Sequence, residues 1–311
     1  MEINKNQDIM EILEKFKNAF FAELEVLKIA TNTKKVYKRM IDEFIEFVRC
    51  ENSVDTLKIL DLNKYFILRF LENTKFKNVS SSTLALYLKV IKRFFKFISE
   101  NNISGIDLLY PIEKLSIKQE EKEIVTYTDI EIDKIKTYLF NFLDKSKNYE
   151  RFKNALCIAF IAFTGMRAQE CLDIKIEDVE IFEDFVRIKI KGKGDKERYV
   201  YLDEVFIEYI KRLFELRDFK SEYLFAKRDK NKMSFNTLYH YNKNLLKKLN
   251  ISTKKAGLHI YRHTFASNLV EDNVNLETIK EILGHSSIAV TSKHYAKASE
   301  KAKKEAMLRR V

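Results

Sequence analysis

Six glycines and a single proline are spread over 311 residues, so almost nothing interrupts the backbone, and the default element for such a chain is a long helix. From Asp8 to Ser99 the apolar residues keep that period: Ile9, Leu13, Phe16 and Phe20, then Val36, Met40, Phe44 and Phe47, then Leu84, Leu88, Ile91 and Phe95. The spacing predicts about four helices there, the last with hydroxyl N-caps available from Ser80 to Thr83. The β signal is local. Phe185-Val186-Arg187-Ile188-Lys189-Ile190 alternates apolar with basic residues, and Arg198-Tyr199-Val200-Tyr201-Leu202 alternates again beyond a Gly192-Lys193-Gly194-Asp195 turn, the pattern of a β-hairpin inside a helical domain. Helical spacing resumes from Glu204 to Leu216, from Ser234 to Leu249 and from His259 onward.

A chain of this length buries two cores more readily than one. Pro111 follows a cluster containing Gly105, and the run Lys118-Gln119-Glu120-Glu121-Lys122-Glu123 is poor in core formers, the composition of a linker. Thr128-Asp129-Ile130-Glu131 then has the form of a capping box, in which a hydroxyl and a carboxylate satisfy the first helical N–H groups reciprocally. The expected division is a helical domain over 1–115, a linker over 116–124 and a second domain over 125–311.

Lys and Arg number 57 against 46 Asp and Glu, a formal net charge of +11, which suits a polyanionic partner such as nucleic acid, although many proteins are this basic for solubility alone. The opening MEINKNQDIMEILEKF has acids among its first apolar residues and lacks the basic and uninterrupted apolar regions of a secretory signal. The longest apolar stretch, Ala155 to Phe163, is far short of the roughly 20 residues that span a bilayer, so no membrane segment is expected. Cys50, Cys157 and Cys171 are odd in number and widely spaced, which argues against a disulfide framework or a zinc knuckle and for a reducing cytoplasm, with Cys157 and Cys171 as buried inert thiols.

Five segments remain, in this order: Thr164-Gly165-Met166-Arg167-Ala168-Gln169-Glu170, the hairpin tip Lys191-Gly192-Lys193-Gly194-Asp195-Lys196, His259-Ile260-Tyr261-Arg262-His263, Leu283-Gly284-His285, and Tyr295. Each is common alone. The ordered set resembles the tyrosine recombinase (phage integrase) family, and within it the Xer-type members, from about Ile124 onward, with a looser helical likeness before that. The resemblance implies a mainly α fold with a small β-hairpin or sheet, arranged as a two-domain clamp: a helical, SAM-like core-binding domain and an α-rich catalytic domain ending in a tail helix. It also implies DNA strand breakage and rejoining through a 3′-phosphotyrosyl intermediate, without cofactor, metal or ATP.

The residue types suit phosphoryl transfer, in which charge on non-bridging oxygens must be neutralised while nucleophile and leaving oxygen lie in line. By the resemblance Arg167 and Arg262 form the phosphate clamp, since a guanidinium stays protonated and donates two parallel hydrogen bonds where lysine is a point charge. His259, one helical turn before Arg262, takes or shares the proton near the nucleophile. His285 hydrogen-bonds the phosphate. Lys193 protonates the departing 5′-oxygen, with Lys191 as the alternative, and Tyr295 is the nucleophile. Glu170 holds the Arg167 guanidinium in place rather than touching DNA. His259 and His263 also have the i, i+4 spacing of helical zinc ligands, but no Glu follows His259 as the general base of that motif. Three departures from the family pattern stand out: His285 to Tyr295 is one residue longer than in the commonest Xer-type members, which makes His294 an extra possible contact, and Leu258 and Asn273 replace a usual Pro and Gly.

The partner implied is a double-stranded DNA target site, bound by a homotetramer on two duplexes whose subunits dock through the C-terminal stretch after Glu300, with an activating protein left open. Lys34, Lys35, Lys38, Arg39, Lys89, Lys92, Arg93 and Lys96 are the candidate phosphate-facing cations of the first domain. Two rivals share the scaffold, a non-catalytic DNA-binding protein and a monomeric type IB topoisomerase. The biological task, chromosome dimer resolution or integration and excision of a mobile element, is open at this level.

Overall fold

Asp8 starts the first helix because its carboxylate accepts the Met10 N–H at 2.9 Å. Among the described residues of the Met1–Lys122 unit the α-helices are α1 (Ile9–Val26), α2 (Thr31–Asn52), α3 (Lys64–Lys75) and α4 (Ser81–Asn101), in line with the about four that the apolar spacing predicts. The computed structural model describes residues 2–3, 7–53, 56–75, 78–120, 124–192 and 197–284. Lys193, His285, His294, Tyr295 and the C-terminal stretch after Glu300 lie outside the described residues. The Ser80 hydroxyl accepts the Thr83 N–H at 3.3 Å to begin α4. Phe16, Phe20, Phe44, Phe94 and Phe95 are all buried between these helices. Phe20 meets Phe94 edge to face with centroids 5.6 Å apart, and Phe44 meets Phe95 likewise at 5.7 Å. Each such ring contributes about 1.5–3 kcal/mol by burial.

The Glu123–Val311 unit opens on the capping box: the Thr128 hydroxyl accepts the Glu131 N–H at 3.3 Å and the Glu131 carboxylate accepts the Thr128 N–H at 2.9 Å. Helix α5 (Asp129–Lys145) follows, then α6 (Tyr149–Thr164). Every residue from Ala155 to Ala162 is buried, and a helix apolar on all sides belongs in the middle of a core. That is what α6 is: it packs against α5 and against elements contributed by the rest of the unit. Among the described residues no helix is long and apolar enough to cross a membrane.

A short helix α7 (Ala168–Leu172) leads to an antiparallel sheet of β1 (Val179–Ile181), β2 (Phe185–Lys191) and β3 (Glu197–Asp203), in the order β1-β2-β3. The β2–β3 pair is the hairpin expected from the alternation. Strand β1, three residues paired with Val186 to Ile188, is too short to show an alternation of its own. Helices α8 (Val205–Glu215), α9 (Phe235–Lys248), α10 (His259–Glu271) and α11 (Leu276–Leu283) follow among the described residues. The helical pattern from His259 onward breaks at Asn273, whose φ of 59° is a left-handed conformation that asparagine tolerates. Cys157 on α6 and Cys171 on α7 are buried free thiols with Sγ atoms 3.4 Å apart, and burial pushes the Cys171 thiol well up.

Gly165 ends α6 at φ 65°. A Cβ there would lie 2.4 Å from Cδ1 of Phe265 and 3.1 Å from Cδ2 of Leu283, so backbone strain and overpacking act together. Gly165→Ala is expected to lower the unfolding free energy by about 2–4 kcal/mol in urea titration; a loss below about 1 kcal/mol would mean that α10 and α11 yield freely at this point.

Candidate active site

Two helix ends and a strand deliver the charged groups to one place. The chain leaves α6 at Gly165 and re-enters helix at α7, with Arg167 as its N-cap residue. The Glu170 carboxylate accepts the Arg167 backbone N–H at 2.7 Å through Oε2 and the Arg167 guanidinium at 2.8 Å through Oε1. Glu170 is thus a cap and an ion-pair partner in one residue, which is what its spacing three positions after Arg167 provides. Arg198 of β3 holds the same carboxylate from the other side, Nη1 to Oε1 at 3.1 Å and Nη2 to Oε2 at 2.7 Å. Burial pushes the Glu170 carboxyl up, yet hydrogen bonds and charge from Arg198, with Arg167, outweigh it and hold the group below the ordinary carboxylate range.

Arg262 lies on the first turn of α10 and is buried. Its Nη1 donates to the Gly165 carbonyl at 2.9 Å and its Nη2 to the Leu283 carbonyl at 2.6 Å. Both acceptors sit at helix C-termini, where carbonyls lack intrahelical donors and the helix dipole is negative. Arg167 Nη2 reaches the Gly284 carbonyl at 3.4 Å, and Arg198 Nε donates to the Ile282 carbonyl at 3.0 Å. Two guanidiniums, those of Arg167 and Arg198, therefore share the Glu170 carboxylate, and with Arg262 close enough to feel all three charges, two positive charges are left unbalanced among these four side chains. Burial first, then the charges of Arg167 and Arg198, push the Arg262 guanidinium down to about 9 against the opposing pull of Glu170. A site so loaded favours an anion, and the Arg167 side chain is 45% exposed to meet one.

His259 is exposed, one turn before Arg262 on α10, so both side chains emerge on one side of the helix. A Cβ on Gly257 would fall 2.5 Å from Cε1 of His259, and glycine leaves the space that the imidazole occupies. His259 and His263 meet edge to face with ring centroids 5.4 Å apart; among the described residues no group of three His, Cys, Asp or Glu side chains is placed to hold a metal ion. Tyr261, the other tyrosine near this motif, is buried, and its hydroxyl donates to Asn242 Oδ1 at 2.7 Å, which makes it a core residue. Lys191 is the last residue of β2 and is exposed, while Lys189 pairs with Glu197 at 2.9 Å.

Sequence reasoning missed Arg198. The signal was parity: Arg198 is in register with Ile190 and shares a strand face with buried Val200 and Leu202, so a guanidinium stands where the alternation calls for an apolar side chain.

On the Met1–Lys122 unit the eight candidate cations divide by their surroundings. Lys35, Lys38, Arg39, Lys89 and Lys96 are exposed on α2 and α4, with Lys96 3.6 Å from Glu100. Arg93 lies over the Tyr37 ring at 5.5 Å from its centroid. Lys34 pairs with Glu25, and Lys92 donates to the carbonyls of Glu113 and Leu115, each at 2.6 Å, tying the segment after α4 to its helix.

Residues 130–302 match the phage integrase family and residues 18–102 match the phage integrase N-terminal SAM-like domain. Tyrosine recombinase XerA of Pyrococcus horikoshii is 29% identical over 304 residues, 94% of this chain and 94% of that protein. Tyrosine recombinase XerD of Staphylococcus epidermidis is 27% identical over 286 residues, 90% of this chain and 92% of that protein. Among solved structures, the XerH site-specific recombinase bound to difH substrate in a pre-cleavage complex matches with a TM-score of 0.71 at 25% identity, over 87% of this chain and 79% of that one. A post-cleavage complex of XerH on palindromic difH substrate shares the fold, with a TM-score of 0.78 at 21% identity over 99% of this chain and 92% of that one. With the family matched across more than half the chain and the helical domain matched before it, the chain belongs to the phage integrase family of tyrosine recombinases.

Proposed function

We propose that this protein is a site-specific DNA recombinase that breaks and rejoins strands through a covalent 3′-phosphotyrosyl intermediate. The observation that carries this reading is the pairing of Arg167 and Arg198 on the single carboxylate of Glu170 beside the buried, uncompensated Arg262, a cluster whose surplus charge suits a phosphodiester. In the proposed reaction the Tyr295 phenolic oxygen attacks phosphorus and gives up its proton towards His259. The P–O5′ bond breaks as the new P–O bond forms, and Lys193 hands a proton to the 5′-oxygen. A 5′-hydroxyl from the partner strand then attacks the phosphotyrosine and releases Tyr295. The ester conserves the energy of the original bond, so the cycle balances without ATP. Arg167, Arg262 and His285 hold the non-bridging oxygens throughout.

DNA contacts come from both domains, 1–115 and 125–311, with 116–124 between them. The exposed cations of α2 and α4 supply salt-dependent phosphate contacts. Assembly is a homotetramer on two duplexes, joined through the C-terminal stretch, acting in the cytoplasm. The test is incubation with singly nicked fragments of the host genome followed by denaturing electrophoresis. A protein–DNA adduct that survives denaturation and forms equally with EDTA present is the expected result. Binding without an adduct would make the protein a non-catalytic DNA binder, and an adduct that relaxes supercoils but never joins two duplexes would make it a topoisomerase.

A further inference from the structure

Glu170 has four hydrogen-bond donors on two oxygens, and the two arginines use them differently. Arg167 contributes one side-chain N–H and its own backbone N–H, so its grip fixes the start of α7 more than the plane of the carboxylate. Arg198 places Nη1 on Oε1 and Nη2 on Oε2, the parallel fork that sets both the plane and the position of a carboxylate. The Arg198 and Glu170 side chains are only 12% and 9% exposed, against 45% for Arg167. The third Arg198 donor, Nε, is on the Ile282 carbonyl at 3.0 Å. Gly284, two residues on, packs so closely that a Cβ there would meet Arg198 Nη1 at 3.0 Å. One half-buried side chain of β3 thus joins the residue that orients Arg167 to the end of α11.

We propose that Arg198 is a positioning residue for strand cleavage, aiming the Arg167 guanidinium through Glu170 while anchoring the end of α11 through the Ile282 carbonyl. The proposal rests on the reading of Arg167 as a phosphate clamp. Without Arg198 the buried carboxylate keeps a single guanidinium partner and draws it inward to satisfy both oxygens. Arg167 then spends on Glu170 the donors it needs for phosphate. A lysine at 198 keeps the charge but not the fork, so it does not restore the geometry.

The experiment is adduct formation on nicked DNA at saturating protein, for the parent, Arg198→Lys, Arg167→Lys and the double variant, with DNA affinity and melting temperature measured on each. Displacement of a catalytic group by about 1 Å slows chemistry by on the order of 100-fold, and R198K is expected to slow adduct formation by about 30-fold while DNA affinity changes less than about threefold. Because the effect passes through Arg167, R198K is expected to slow R167K by less than about threefold. Glu170→Gln, which removes the link from its other end, is expected to give the same split between rate and affinity. R198K cleaving at the parental rate, equal losses in both backgrounds, or weakened affinity at unchanged rate would each overturn the proposal. If R167K cleaves like the parent, the clamp reading fails and takes the proposal with it; if R167K is slow while R198K matches the parent, only the role of Arg198 fails.

Discussion

Tyr295→Phe is expected to abolish the covalent adduct, with any residual strand breakage at least about 10⁴-fold slower than in the parent. The phenolic oxygen is the atom that bonds to phosphorus in the proposed reaction, and phenylalanine offers no atom in its place. A phenol is a poor nucleophile at its ordinary pKa of about 10, and nearby cations lower the barrier by favouring the phenolate. The substitution leaves Arg167, Arg198, Arg262 and Glu170 untouched, so DNA affinity is expected to stay within about threefold of the parent. Loss of the adduct with retained binding is therefore the signature, read by denaturing electrophoresis alongside a binding titration. Persistence of the adduct in Y295F would move the nucleophile to another residue. Tyr261 is already committed to Asn242 in the core, so the search would move to other tyrosines.

Arg262→Gln is expected to reduce adduct formation by about 10³-fold or more while costing only about 1–2 kcal/mol of stability. Removing a buried charge is usually far more destabilising when it strands a partner. Here the partners are the Gly165 and Leu283 carbonyls, neutral groups, so no opposite charge is left stranded. Loss of the charge also removes the burial cost and, after it, the repulsion from Arg167 and Arg198, which together hold the Arg262 guanidinium down at about 9. Stability and catalysis therefore part company at this residue, because the charge that strains the free protein is the one that meets phosphate. Urea unfolding and single-turnover cleavage measured on the same preparation check both halves. A cleavage rate within tenfold of the parent would remove Arg262 from the clamp, and a stability loss above about 4 kcal/mol would mean its main role is to join α6, α10 and α11.

Much of this was legible from residues alone because the signals were short in range. Glu131 follows Thr128 by three positions, and Glu170 follows Arg167 by three; a helical turn turns that spacing into contact whatever the rest of the chain does. The β2–β3 hairpin declared itself through alternation and a glycine-rich turn, and α6 through an apolar run too long for a strand and too short for a bilayer. The order of the motifs along the chain resembles the family's own order.

Contacts between residues distant in sequence were not legible. Lys34 and Lys92 read as surface cations like their neighbours, and only the fold hands one to Glu25 and the other to the carbonyls of Glu113 and Leu115. Arg198 read as one basic residue in an alternating strand, because its partners are 28 and 84 positions away. Composition, periodicity and motif order in this sequence determined a helical two-domain chain of the phage integrase family and singled out two arginines as the proposed phosphate clamp. Tertiary structure alone decided that Arg198 shares the Glu170 carboxylate with Arg167 and that Arg262 is buried against the ends of α6 and α11. The physical reason is that helical periodicity and caps are set by neighbours three or four residues apart, whereas the charge balance of a buried site is set by whichever side chains the fold brings together.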